Sequence, residues 1–199
     1  EEKNEKKSVW GIILKVIIVV ATAIGSAFGV TACNKGQGEP HMRRITLFII
    51  HCSATRCGQP YSFEDCRRDH IDGRHFRDIG YHYYITRDGR VHPGRPLSLE
   101  GAHCFGHNRH SIGICYEGGL DGKGLPRDTR TPAQKAALTQ LLQELGRHFP
   151  AALTVGHRDL NPQKACPSFD AAKEYKKDAP VGGPEASAGV RLVYAVLLL

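Results

Sequence analysis

The sequence predicts an α/β fold: a mixed central β-sheet flanked by helices, in a single domain. Three observations carry that expectation. The unbroken β-branched and aromatic run Ile45-Thr46-Leu47-Phe48-Ile49-Ile50 has the composition of a central strand covered on both faces. Asp88-Gly89, between the extended segments Tyr81–Arg87 and Arg90–Val91, is a two-residue hairpin signal. Thr131-Pro132 is a helix N-cap followed by proline at the first helical position. Leu138, Leu141, Leu142, Leu145 and Phe149 then recur at helical spacing, one apolar face for the sheet.

Taken in order, the first strand delivers His51 at its carboxyl end. Ser62 with Asp65 three residues on starts a helix that runs to about Asp72. Ser111–Glu117 is a further strand, closed by Gly118-Gly119. Leu153-Thr154-Val155 is the last strand and hands over to Gly156-His157. Two strands thus end in histidine, and strand ends are where α/β sites sit.

Composition narrows the function classes. The chain has 199 residues, 41% apolar and 24% charged, the range of one globular domain with appendages. Eight per cent aromatic residues and 22 glycines exclude a disordered polyelectrolyte, a coiled coil and a collagen-like repeat. A formal charge of +7 suits anionic partners such as membrane headgroups or an acidic bacterial wall. Nucleic acid is not expected. The basic residues are scattered, with only Arg43-Arg44, Arg67-Arg68 and Lys176-Lys177 as pairs inside the domain and no recognised motif. Seven cysteines, odd in number and irregularly spaced, do not form a disulfide framework. They leave metal ligation, lipidation or buried thiols, with a bridge among Cys52, Cys57 and Cys66 open if the domain is exported.

The ends differ from the middle. From Val9 to Ala32 the chain is apolar, interrupted only by Lys15, and residues 1–33 read as a signal peptide or short membrane anchor. Membrane association through residues 9–33 follows. Val30-Thr31-Ala32-Cys33 resembles the lipobox of bacterial lipoproteins, which implies acylation of Cys33. Residues 34–41 are a polar, glycine-rich linker, 42–179 the folded domain, and 180–199 a tail without an assigned role. Met42 is the only methionine, so translation starting there would give a second form without the segment. The first form is expected in the cell envelope and the second in the cytoplasm.

Metal chemistry is the first hypothesis that the strand-end histidines raise. A catalytic zinc takes three protein ligands and keeps one position open. His51, His157 and Cys166 offer two imidazoles and a thiolate from two strand ends and a loop. Alone the pattern is weak, because eleven histidines make a chance pair easy.

The surrounding words make it specific. Ile50-His51-Cys52-Ser53-Ala54-Thr55 and Gly80-Tyr81-His82-Tyr83-Tyr84-Ile85 resemble the type 2 N-acetylmuramoyl-L-alanine amidases and the related peptidoglycan recognition proteins. So do Gly101-Ala102-His103, Asn108, Ser111-Ile112-Gly113-Ile114, and Gly156-His157-Arg158-Asp159 through Lys164-Ala165-Cys166-Pro167. The match runs in order across about residues 43–175 and is nearest to the phage-type amidases.

The resemblance implies one Zn²⁺ held by His51, His157 and Cys166, with Tyr81 and Lys164 as catalytic residues beside it. It implies a substrate groove lined by His103, Asn108 and Arg109, a peptidoglycan substrate and a monomer. Some relatives place a glutamate where this chain has Cys115, and Glu117 lies one step further along the same face; the acid's role is not transferred to it. The loop between Asp159 and Lys164 is short, which implies an open groove beside Lys164. The alternative within the family is a receptor that binds peptidoglycan without turnover. Retention of Cys166 argues against it.

Overall fold

The computed structural model describes residues 43–176. The expected apolar segment, linker, Cys33 and tail lie outside those residues. Among the described residues no helix is long and apolar enough to cross a membrane.

Strand β1 (Leu47–Cys52) is the hub of a five-stranded sheet with the order β4-β3-β5-β1-β7. It pairs in parallel with β5 (Ser111–Tyr116) on one side and β7 (Leu153–Gly156) on the other. Strand β3 (Tyr83–Ile85) is parallel to β5, and β4 (Val91–Pro93) is antiparallel to β3, so the sheet is mixed. A second sheet of two short strands, β2 (Thr55–Arg56) and β6 (Gly119–Leu120), extends the rim.

Both faces of the main sheet are covered. Helix α2 (Pro132–His148) lays Ala137, Leu138, Leu141, Leu142 and Leu145 on one face, against Phe48, Ile50, Ile112 and Ile114. Thr131 caps it as expected, in a reciprocal pair with Gln134. The other face holds Cys66, Ile79, Tyr84 and Cys115 beneath helix α1 (Phe63–Arg68), which Ser62 and Asp65 cap. The regular α-helix stops at Arg68, short of the expected end near Asp72, and a π-helical turn, Asp69–Gly73, carries it the rest of the way.

The β3–β4 connection differs from a two-residue turn. The Thr86 N–H donates to the Arg90 carbonyl at 3.0 Å and the Gly89 N–H to the Thr86 carbonyl at 2.8 Å, enclosing three residues. Gly89 takes φ +81°, and a Cβ there would lie 2.8 Å from the Ala133 carbonyl oxygen, so only glycine fits under α2.

Near the carboxyl end of the domain, the wholly buried Arg130 side chain pairs with Asp128 at 2.8 Å and Glu174 at 2.7 Å. Its guanidinium lies 3.3 Å from the centre of the Phe169 ring. This clamp fixes helix α4 (Ala171–Glu174) to the body. The six described cysteines are all free, which removes the bridge left open among Cys52, Cys57 and Cys66.

Candidate active site

Register places the two histidines. Gly156 of β7 pairs with Ile50 of β1, so the next residues, His157 and His51, emerge side by side at the carboxyl edge. Their ring centres are 4.7 Å apart. His157 opens the short helix α3 (His157–Leu160), and the chain returns through a tight loop to Cys166. The Arg158 N–H donates to the Cys166 carbonyl at 2.7 Å, which closes that loop. Gly156 is needed there, since a Cβ would lie 2.6 Å from Pro167 Cδ.

One donor atom each from His51, His157 and Cys166 falls within a 4.8 Å span. Cys166 Sγ is 3.7 Å from His51 Nδ1 and accepts the Cys52 backbone N–H at 3.2 Å. Burial, together with His157 and His70, holds His51 well below the usual histidine range. Burial and the Lys164 charge lower His157. Both imidazoles are therefore neutral with a lone pair to offer, which metal ligation requires.

The neighbouring thiols of Cys52 and Cys166 act on each other: the Cys166 side chain draws Cys52 down to about 7, while Cys52 and burial raise Cys166. The backbone N–H of Cys52 acts the other way, favouring charge on Cys166. Cys166 Sγ is the sulfur grouped with the imidazoles; Cys52 Sγ lies 3.9 Å from Ser168 Oγ and is outside the donor set. Two neutral imidazoles and one thiol, spaced for a single ion, fit zinc.

Tyr81 stands beside this cluster, its ring centre 5.2 Å from that of His51 and 5.2 Å from that of His70. Burial, with four neighbouring thiols, raises its hydroxyl well above the usual range, so it is a proton-bearing donor at neutral pH. Lys164 is exposed at the rim, close enough for its charge to act on His157. A cavity of about 290 Å³ opens beside Tyr81, lined by Ser53, Tyr61, His70 and Arg74 among others.

His103 joins the cluster, its ring centre 5.0 Å from that of His51. Asn108 is turned inward to the loop, its Oδ1 accepting the N–H groups of His103 and Cys104 at 2.9 and 3.0 Å. Arg109 is not brought to the cluster. It precedes β5 at the amino edge of the sheet, in a groove with Arg43, Arg44 and His110. Cys115 is level with His51 in the register and fully buried. Glu117 brackets two loops, accepting the N–H groups of Tyr61 and Arg87 at 3.0 Å each.

His70 is a site residue that the sequence does not single out. It is buried, and its Nδ1 accepts the Gly80 N–H at 2.9 Å, which seats the turn that presents Tyr81. Its place in the run Arg67-Arg68-Asp69-His70 gives the signal of a solvated helix face.

A family model described as N-acetylmuramoyl-L-alanine amidase matches residues 41–169. The chain belongs to the N-acetylmuramoyl-L-alanine amidase family. This amidase is 41% identical over 128 residues to an endolysin of Enterobacteria phage K11, covering 64% of this chain and 83% of that protein. It is 33% identical over 148 residues to a peptidoglycan-recognition protein of Drosophila melanogaster, covering 70% and 79% respectively. Among solved structures, the endolysin amidase LysCS of Clostridium intestinale superposes with a TM-score of 0.55 at 26% identity, covering 71% of this chain and 88% of that one. A second model, of a family of unknown function, matches residues 5–35 of the amidase, outside the described part.

Proposed function

We propose that this amidase is a zinc enzyme that cleaves the amide joining the lactyl group of N-acetylmuramic acid to the L-alanine of the stem peptide. The observation that carries the reading is the convergence of His51, His157 and Cys166 within 4.8 Å at the edge that also presents Tyr81. These three would hold the ion. Zinc there supplies a Lewis acid and brings the pKa of water down to about 7.

The chain's own groups do the rest. An amide resists hydrolysis because its tetrahedral oxyanion is unstable. The Tyr81 hydroxyl, kept protonated by burial, and the Lys164 ammonium donate to that oxyanion. One well-placed donor is worth about 3–4 kcal/mol. Neutral His51 and His157 keep the site's charge low enough for a single thiolate to balance the ion in part. The cavity beside Tyr81 takes part of the muropeptide.

At the other end of the chain, the reading includes an envelope tether: residues 9–33 as the apolar anchor and Cys33 acylated. It rests on sequence alone, and a product starting at Met42 acts without it.

Digestion of purified peptidoglycan by the full chain, with and without a chelator, tests the function. Mass analysis should find stem peptides beginning at L-alanine, released only when metal is present. New reducing sugar ends would show a glycosidase instead. Binding of the sacculus without release of any fragment would show a receptor.

A further inference from the structure

The imidazole of His51 has two nitrogens, and the structure gives both a partner. Nδ1 faces Cys166 Sγ at 3.7 Å. Nε2 lies 3.1 Å from Nδ1 of His103. A metal held by the donor set would take the Nδ1 lone pair, leaving the His51 proton on Nε2 for donation to His103 Nδ1. His103 is then required to carry its own proton on Nε2, which faces Ser111 Oγ at 3.4 Å. The three groups form one directed chain from the ligand to the strand beside it.

His103 is built to stay in place. Its ring packs closely against two glycines: a Cβ at Gly101 or Gly113 would come 2.4 Å from His103 Cδ2. Asn108 Oδ1 holds the His103 backbone N–H at 2.9 Å and the next one at 3.0 Å. The His82 ring meets it edge-on at 5.7 Å. Nothing in this arrangement requires a substrate.

We infer that His103 is a positioning residue: it accepts the His51 Nε2–H, fixes that ring's tautomer and angle, and thereby sets the affinity of the site for zinc. Such outer partners are commonly carboxylates, carbonyls or water, and losing one costs 10–100-fold in metal affinity. A neutral imidazole in that place orients the ligand without adding negative charge. With one thiolate as the only anionic ligand, a bound ion would keep more of its Lewis acidity. The same chain gives Asn108 its purpose, since it holds the backbone from which His103 projects.

The inference rests on the zinc reading, and one experiment separates the two. Zinc affinity is measured on the full chain by competition with a chromogenic chelator, for wild type and for His103→Leu, His103→Asn and His103→Gln. An asparagine amide oxygen reaches the position of imidazole Nδ1; a glutamine oxygen reaches that of Nε2. The expected result is zinc binding about 10–100-fold weaker in His103→Leu and His103→Gln, and close to wild type in His103→Asn. If the leucine variant does not fold, the asparagine and glutamine pair carries the comparison. Unchanged zinc affinity in all three with a raised KM overturns the inference and returns His103 to the substrate groove. A wild-type chain that takes up no zinc overturns the metal reading, and this inference with it.

Discussion

The backbone N–H of Cys52 donates to Sγ of Cys166 at 3.2 Å, joining two residues 114 positions apart in the chain. Only Cys166 of the two is grouped with the imidazoles, so the two cysteines are expected to respond differently to substitution. Cys166→Ser should lose zinc and all hydrolysis, because an alcohol is rarely deprotonated enough to stand in for a thiolate. Cys52→Ala keeps its backbone donor and should retain one zinc per chain, losing about 1 kcal/mol of stability for the small cavity. Metal analysis of both purified variants checks this. A metal-free Cys52→Ala would place its sulfur in the ligand set.

Tyr81→Phe keeps the ring against His51 and His70 and removes only the hydroxyl. Zinc content and melting temperature should stay at wild-type values while kcat falls roughly 10²–10³-fold. Turnover within a factor of three of wild type would leave Tyr81 a packing residue.

Acid should destabilise the fold through its buried imidazoles. Burial, then Arg74, lowers His70 to about 4; burial, then Arg43, lowers His82 to about 3. Histidine in the unfolded chain titrates near ~6.5, so the unfolded state binds protons first as pH falls. Stability is intact above about 6.5 and declines as pH falls to 4, and further to 3 for His82. Urea midpoints of the metal-free protein at several pH values should drop across that window. His70→Asn, which keeps an acceptor for the Gly80 N–H, should make the loss measurably smaller between pH 6.5 and about 4. A midpoint independent of pH would show that these rings are not held neutral.

Arg130 is tested by Arg130→Met, which keeps bulk and removes charge. The Asp128 and Glu174 carboxylates lose their shared partner, and the cation over Phe169 is gone. The expected cost is roughly 2–4 kcal/mol by urea denaturation, with the zinc affinity unmoved. A neutral substitution would mean that apolar packing alone fixes α4.

Much of this is legible in the sequence because single residues carry strong local rules. Ile45–Ile50 has the composition of a doubly covered strand, and it leads directly to His51. Thr131-Pro132 marks the start of α2 to the residue. The misses have physical causes. Asp88-Gly89 has the composition of a two-residue turn, but the close approach of Ala133 sets the loop at three. Tyr83 and Tyr84 pack into the two different cores and are both fully buried, as a sheet covered on both faces requires. Strands β2 and β6 are two residues long, too short to show a period. In the site, His51, His157 and Cys166 converge as their motifs imply. His70 is hidden because its neighbours are charged, and only the tertiary turn at Gly80 shows what its ring accepts.

The place of β1 has a consequence for biosynthesis. Among the described strands it is the first to be made, and it sits between β5 and β7, so one of its sides stays unpaired until β7 arrives. Its histidine then waits for a cysteine 115 positions later. A chain cut short before Cys166 lacks the sulfur of the donor set, and one cut short before His157 keeps only His51 of the three. The donor set is thus complete only once the chain has been made through Cys166, so its three side chains come together late in folding rather than strand by strand.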